Sequence, residues 1–325
     1  MTFDIVITTY NRPVETARLI REILSCTQLP EQVIVVDSSD RADAVLQKTG
    51  KVTYIRSAHK NQPFQRMLGV KSANADVVVF FDDDLEIVDK RIFEWIMAPY
   101  NNTHVVGSAI NFTYENGIDQ HLPGHFNIKS KWAGLFLLLT GAPSPGVGKY
   151  SWQGATGPKP AQTGYVETFS GAQMSFRRAE INTFFSSALF DTFESRMGMG
   201  EDKVISYAMS KKGLLVYNPV IGLKHPANES NYYEDMASFT AKVIFSRLLL
   251  NIEYARQNGK APITGYLLFY WYALCRLMIA VLSWMVFRTN THKQKVKGTY
   301  QGILLTLKKR NAGSVNWHNE LNSTR

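Results

Sequence analysis

Three consecutive carboxylates, Asp82, Asp83 and Asp84, follow the apolar run Asp76–Phe81 (DVVVFF) directly. Adjacent carboxylates repel one another, and a folded chain tolerates them best where a cation neutralises them. Hard divalent cations take carboxylate oxygens, usually one or two, with phosphates and water completing the shell. Alternate side chains of an extended backbone share a side. Asp82 and Asp84 are therefore expected to point together at a metal–diphosphate, leaving Asp83 for a ribose or sugar hydroxyl. A solvated turn ahead of a helix would use the same triplet for its dipole preference alone.

Polar groups close two other apolar runs. Thr8-Thr9-Tyr10-Asn11-Arg12-Pro13 ends the first, FDIVITT (Phe3–Thr9), and can hold a nucleotide at a strand-to-helix turn that favours anions; it would also make a plain capped turn. Asp37-Ser38-Ser39-Asp40 ends the second, QVIVV (Gln32–Val36). Asp37 can accept a hydrogen bond from a base imide or a ribose hydroxyl, although Asp and Ser also favour ordinary turns. Glu201-Asp202 opens a helical pattern with Val204, Ile205 and Ala208 on its apolar face. Acids there serve the helix dipole, or a general base at the mouth of a site.

Stepping from these groups to the elements that must hold them, the first third of the chain alternates between two periods. Strands are expected over Phe3–Thr9, Gln32–Val36, Val52–Ile55, Asp76–Phe81 and His104–Ile110, and helices over Pro13–Cys26, Phe64–Ala73 and Ile92–Met97. This is the pattern of a mostly parallel sheet covered by helices, which binds ligands at the carboxyl ends of its strands. Gly141–Gly164 reads as a long loop. Regularity returns with Val166–Phe176, a helix runs from about Glu201 to Lys212, Leu214–Tyr217 is a short strand, and Tyr232–Asn258 is a long amphipathic helix.

Composition narrows the class. The chain has 325 residues, 45% apolar and 19% charged, which excludes wholesale disorder. Two cysteines, Cys26 and Cys275, exclude a disulfide framework and a Cys-rich zinc module and suit a reducing compartment. Asp4 and Arg12 interrupt the first apolar run, which reads as too short for a secretory signal. There is no G-x-G-x-x-G after the first strand, no Walker A, no H-E-x-x-H and no G-x-S-x-G; Pro123 and Gly124 break any helical face shared by His121 and His125.

The net charge is +9, and its excess lies at the C-terminal end. Ile263–Phe287 carries one charge, Arg276, in 25 residues, long enough to span a bilayer or to lie on one. Arg288, Lys293, Lys295, Lys297, Lys308, Lys309 and Arg310 follow with no acid among them, as expected beside anionic lipid. A buried helix or an oligomer contact would use the same apolar stretch. The basic residues do not interleave with aromatics along a groove, so no nucleic-acid partner is expected.

Taken in order, TTYNRP (Thr8–Pro13), VVD (Val35–Asp37), QRMLG (Gln65–Gly69), FFDDD (Phe80–Asp84), FSGAQMSFRR (Phe169–Arg178) and GED (Gly200–Asp202) resemble family 2 glycosyltransferases of the GT-A fold, over roughly residues 3–226. The resemblance implies an α/β GT-A fold, Rossmann-like with a mostly parallel sheet flanked by helices. It implies a catalytic domain over residues 1–228 and a C-terminal helical membrane-associating region over 229–325. By the same resemblance Thr9, Tyr10, Arg12 and Asp37 contact the nucleotide, with Arg66 nearby. Asp82 and Asp84 form the D-x-D element holding Mn²⁺ or Mg²⁺, and Gly171 shapes the sugar and acceptor site. Asp202, in preference to Glu201, supplies the base. His225 sits where a third metal contact is sometimes found, and a surface histidine is the plainer reading.

Met67 stands where the family often has Asn, and a Q-x-x-R-W motif and a series of spanning helices are missing, which favours single sugar addition over processive synthesis. The expectation is an inverting hexosyl- or deoxyhexosyltransferase. Its donor is a nucleotide-diphospho-sugar, UDP or dTDP ahead of GDP. Its acceptor is a lipid-linked saccharide of surface polysaccharide assembly, at the cytoplasmic face of the membrane (peripheral, monotopic or single-span). A sugar-phosphate nucleotidyltransferase would need a Gly- and Arg/Lys-rich first loop, which Thr8–Pro13 is not, and a non-catalytic scaffold would not need three adjacent aspartates.

Overall fold

The computed structural model describes residues 1–41, 51–114, 135, 139–140, 145–185, 187–194, 198–226 and 235–309. His121, His125, Arg310 and the first four residues of the Gly141–Gly164 loop lie outside them. The N-terminal elements are β1 (Phe3–Thr9), α1 (Pro13–Ile23), β2 (Val33–Asp37), β3 (Val52–Arg56), α2 (Gln62–Ser72), β4 (Val77–Asp82), β5 (Glu86–Ile87), α3 (Ile92–Met97) and β6 (Val105–Tyr114). They are followed by β7 (Gly164–Val166), β8 (Gln173–Arg177), α4 (Arg178–Ile181), α5 (Ser187–Glu194), α6 (Glu201–Ser210) and β9 (Leu214–His225). Three long helices close the chain: α7 (Met236–Gln257), α8 (Pro262–Phe287) and α9 (Asn290–Lys309).

The strands form one mixed sheet in the order β3-β2-β1-β4-β8-β6-β9-β5, with β7 also on β9. The β3-β2-β1-β4 half is parallel, as expected. β8 then runs antiparallel between β4 and β6, and β5 and β7 pair antiparallel with β9, so the sheet as a whole is more mixed than its first half suggests.

Strands β1, β2 and β4 are apolar throughout because both faces are covered. Val6, Ile34, Val78 and Phe80 face a layer containing Phe64, Met67 and Leu68 of α2. Ile5, Ile7, Val33, Val79 and Phe81 face the opposite layer, with Leu19 and Ile20 of α1 and Phe93 and Ile96 of α3. This alternation fixes the register, since a one-residue slip would exchange the two sets. Truncating Phe80 or Phe81 to Ala would cost about 3–5 kcal/mol.

Register also places the polar residues. Thr8 lies opposite Asp82, Thr9 opposite Asp37, and Asp37 opposite Arg56, so all of them gather at one sheet edge. At the other end of the chain, Leu249 and Leu250 of α7 enter the main core. Ile244 of α7 meets Phe269, Tyr272, Ala273, Cys275 and Ile279 on one face of α8. The other face of α8 leaves Ile263, Leu267, Trp271, Leu274, Met278, Leu282 and Met285 exposed at three- and four-residue spacing. By length and composition α8 could cross a bilayer. Most of the basic stretch is the helix α9, whose Gly298 and Gly302 lie against Ala237 and Ala241 of α7.

Candidate active site

The strand ends at Asp82, and the turn after it separates the three aspartates. Asp82 Oδ1 accepts from Arg66 Nη2 at 3.1 Å and from Gln62 Nε2 at 3.1 Å. Asp83 and Asp84 instead share Arg12, whose Nη1 donates to Asp83 Oδ1 at 3.2 Å and to Asp84 Oδ2 at 2.6 Å. Thr9 Oγ1 donates to Asp83 Oδ2 at 2.7 Å. The expected pairing of Asp82 with Asp84 is therefore not what forms. Strict alternation stops where the extended backbone stops, and Asp84 joins Asp83. Burial pushes the Asp82 carboxyl well above the usual range against the opposing charge of Arg66. It pushes Asp83 up to about 6, with Arg12 opposing the rise.

His225, at the end of β9, has Nε2 3.6 Å from Asp84 Oδ1, and its side chain is 13% exposed. It is enclosed beside Phe112 and Tyr114 rather than lying on the surface. Among the described residues, no group of three or more His, Cys, Asp or Glu gathers to hold an ion unaided. The Asp84–His225 pair offers one hard oxygen donor and one imidazole. That donor set fits a divalent cation completed by diphosphate oxygens and water.

At the neighbouring strand ends, Asp37 is buried and fully engaged. Ser39 N and Oγ donate to its Oδ1, and Tyr54 OH at 2.5 Å and Arg56 Nη1 at 3.0 Å donate to Oδ2. Tyr54 and Arg56 went unread in the sequence; their spacing of two on a strand beside β2 was the available signal. Tyr10 lies half-exposed at the rim, where Lys60 Nζ donates to Tyr10 OH at 2.9 Å and to Asp40 Oδ1 at 2.6 Å. Hydrogen bonds from Lys60 and Asn11 hold the exposed Asp40 carboxyl down at about 2.

The acid pair is divided by one buried cation. Gly200, at φ +84°, adopts the left-handed conformation that lets the chain turn into α6. Glu201 then points inward, where Arg66 Nη1 donates to its Oε1 at 3.0 Å. Arg66 is 1% exposed and also donates to Gly171 O at 3.2 Å. Burial raises the Glu201 carboxyl above its ordinary value. Asp202 turns the other way and is half-buried. A Cβ on Gly171 would stand 3.3 Å from Asp202 Cβ, so glycine gives that carboxylate its close approach. Asp202 also lines a cavity of about 200 Å³ with Ser170, Lys203 and Pro158. Arg66, Asp82, Glu201, Gly171 and Asp202 are thus brought together. Thr9, Arg12, Asp83, Asp84 and His225 form a second group one residue along the turn, and Asp37 and Tyr10 sit at separate positions on the same edge.

Residues 4–149 match the profile of the family described as Glycosyl transferase family 2. No curated protein sequence matches the chain. Among solved structures, S. aureus TarS 1-349 in complex with UDP aligns at 13% identity and a TM-score of 0.47, over 96% of this chain and 92% of that one. The mannosyltransferase PcManGT from Pyrobaculum calidifontis, in complex with GDP-Man and Mn²⁺, aligns at 12% identity and a TM-score of 0.48, over 95% of this chain and 86% of that one. A mycobacterial protein aligns at 11% identity and a TM-score of 0.47, over 80% and 76% of the two chains.

Proposed function

We propose, from the match of residues 4–149 to the glycosyl transferase family 2 profile, that this chain is an inverting transferase that moves one hexosyl or deoxyhexosyl unit from a nucleotide-diphospho-sugar to an acceptor hydroxyl. The observation that carries the reading is the division of the acid pair. Glu201 is committed to Arg66, while Asp202 stands beside Gly171 at the cavity.

In this mechanism Asp202 accepts the proton of the acceptor hydroxyl as that oxygen attacks the anomeric carbon and the bond to the diphosphate breaks. A positioned base of this kind contributes about 10²–10⁴ in rate. One base without a paired nucleophile gives a single displacement with inversion. Thr9, Tyr10 and Arg12 hold the nucleotide, and Asp37 reaches it only by giving up one of the donors that now fill its oxygens, with Arg66 fixing Asp82 beside the diphosphate and Asp83 taking a donor hydroxyl. Asp84 and His225, with Asp82 nearby, would hold Mn²⁺ or Mg²⁺. When bound, such a cation neutralises the departing diphosphate. Residues 1–228 are read as the catalytic domain.

Residues 229–325 are read as the membrane-associating region. The exposed stripe of α8 suits the acyl boundary of a cytoplasmic-face membrane. Exposed Arg288, Lys293, Lys297 and Lys308 suit its anionic headgroups. A lipid-linked saccharide is the acceptor class this placement favours.

The test is calorimetric titration with UDP, dTDP and GDP, each with and without Mn²⁺, on the native chain and on Asp202→Asn. One diphosphate should bind in a metal-dependent manner to both proteins. Transfer from the matching sugar nucleotide should fall at least about 10²-fold in Asp202→Asn. Equal loss of binding and transfer in that variant would remove Asp202 as the base.

A further inference from the structure

Four basic side chains, Lys203, Arg247, Arg276 and Lys295, form a file through the junction of α6, α7, α8 and α9. Lys203 Nζ donates to Gly154 O at 3.4 Å, and a Cβ on Gly154 would overlap Arg247 Nη1, so these two cations flank one glycine. The Arg247 guanidinium lies over the Tyr272 ring, 4.9 Å from its centroid. Arg276 stands four residues beyond Tyr272 and so shares its face of α8. Its charge reaches Arg247 on one side and Lys295 of α9 on the other. All four side chains belong to half-buried residues, so each keeps part of its surface open to solvent.

Like charges this close repel, and burial removes much of the water that would screen them. Burial pushes the Lys203 ammonium down, with Asp202 opposing the fall and Arg247 adding to it. Burial pushes Lys295 down as well, and Arg276 adds to that fall. Arg256 of α7 has Glu253 at 2.7 Å, whereas Lys203, Arg247 and Lys295 have no carboxylate at ion-pair distance among the described residues. Asp202 acts on the Lys203 end of the file, and Tyr272, between Arg247 and Arg276, is a neutral phenol. The positive charge is therefore in excess at a place where holding it costs stability. A multiply charged anion would relieve it, and guanidinium forks match the oxygens of a phosphate.

We propose that Lys203, Arg247, Arg276 and Lys295 form a binding site for a phosphate or diphosphate group, separate from the edge that carries Arg12 and the three aspartates. These are not the exposed lysines of α9 that suit a membrane surface in general; they are enclosed where the helices meet. The group is either free or borne by a lipid, since α8 supplies Arg276 from the same helix that exposes Trp271, Leu274 and Met278.

The test titrates the full-length protein in EDTA, so that no metal bridges an anion to the aspartates. The probes are inorganic pyrophosphate, followed by calorimetry and melting temperature, and phosphatidylcholine vesicles with and without a polyprenyl diphosphate, followed by flotation. At least one diphosphate should bind saturably. Arg276→Gln and Lys295→Gln should each weaken that binding about tenfold or more, the size of one charge-assisted hydrogen bond, and Arg276→Lys by less. Exposed Lys293 is the control, and Lys293→Gln should leave the affinity unchanged. Without ligand, the Arg276→Gln and Lys295→Gln proteins should melt at an unchanged or higher temperature, because each loses one of a set of like charges. A lower melting temperature with unchanged diphosphate affinity would make these cations structural and overturn the proposal. Equal weakening by Lys293→Gln would reduce the effect to general surface charge and overturn it too. Flotation that requires both the polyprenyl diphosphate and Arg276 assigns the group to a lipid, and pyrophosphate binding alone assigns it to a free ligand. UDP with Mn²⁺ is titrated into the same proteins. UDP binding without a response to either diphosphate would sink this site and leave the transferase reading standing. Diphosphate binding in a protein that binds no nucleotide would keep the site and remove that reading. Loss of UDP affinity in step with diphosphate affinity in Arg276→Gln would merge the two sites and overturn their separation.

Discussion

Arg66 and Glu201 lie 135 positions apart in sequence and meet in a buried contact of 3.0 Å, while the other arm of the same guanidinium reaches Asp82 at 3.1 Å. One side chain thereby joins the end of β4 to the first turn of α6. These are the two places from which the aspartates and the proposed base project. The fork of a guanidinium is suited to this double attachment in a way that a single ammonium is not.

Arg66→Met should therefore destabilise the chain by about 3–5 kcal/mol in urea unfolding, because two carboxylates lose their shared counter-charge. Arg66→Lys should recover only part of the loss. The double variant Arg66→Met/Glu201→Gln should be more stable than additivity of its single changes allows, by about 0.5–3 kcal/mol. Strict additivity would show that the contact contributes no coupling.

Glu201 and Asp202 should separate by the kind of damage their loss causes. Glu201→Gln gives up a charge-assisted bond to a buried arginine and should cost about 1.5–3 kcal/mol of stability. Asp202→Asn should stay within about 0.5 kcal/mol of the native chain while losing transfer. Unfolding curves recorded beside activity assays check both, and the reverse pattern would exchange the two roles.

Asp83 sets an expected pH dependence. Burial holds its carboxyl up at about 6, above the usual carboxylate value, so ionising it costs folding stability as pH rises from the ordinary carboxylate range through about 6. A bound cation favours the ionised form. Affinity for Mn²⁺ with nucleotide should then climb between about pH 5 and 6, by up to about tenfold per unit for one released proton, and climb less steeply above that. Asp83→Asn should flatten the climb. Calorimetry in buffers of different ionisation enthalpy would count the protons, and a count independent of pH would contradict the assignment.

Leu267→Glu/Leu274→Glu places two charges on the exposed stripe of α8 without entering its packed face. Burial of each leucine at a lipid boundary is worth at most about 1.5–3 kcal/mol, so the double variant should weaken flotation with anionic vesicles by more than about tenfold. Nucleotide binding should be unaffected. Equal flotation of the two proteins would move the membrane contact elsewhere or remove it.

Much of this architecture could be read before any coordinates. β1, β2 and β4 announce themselves because strands covered on both faces need unbroken apolar runs, and the polar residues closing those runs sit at the sheet edge that binds ligands. Other features depend on distant partners. Nothing local to Asp37 says that Tyr54 and Arg56 occupy its oxygens, because that follows from the register of β3 on β2. β9 extends from Leu214 through to His225 although Pro219 and Gly222 look like breakers. It pairs with β6 through register shifts that absorb them. The helix α9 was hidden because its inward face uses Gly298, Thr299 and Gly302 instead of large apolar residues.

The hold of Arg12 on Asp83 and Asp84 has a thermodynamic consequence for whatever arrives at that edge. Arg12 supplies a counter-ion to Asp83 and Asp84 from within the chain, so on the reading proposed above a cation bound there would exchange for an ionic partner and not simply add. The charge balance of the aspartates changes little when one positive group replaces another, while the freed guanidinium becomes available to an incoming anion. Observed affinity is then the difference between two attachments, and weak binding at this edge would be compatible with strong individual contacts.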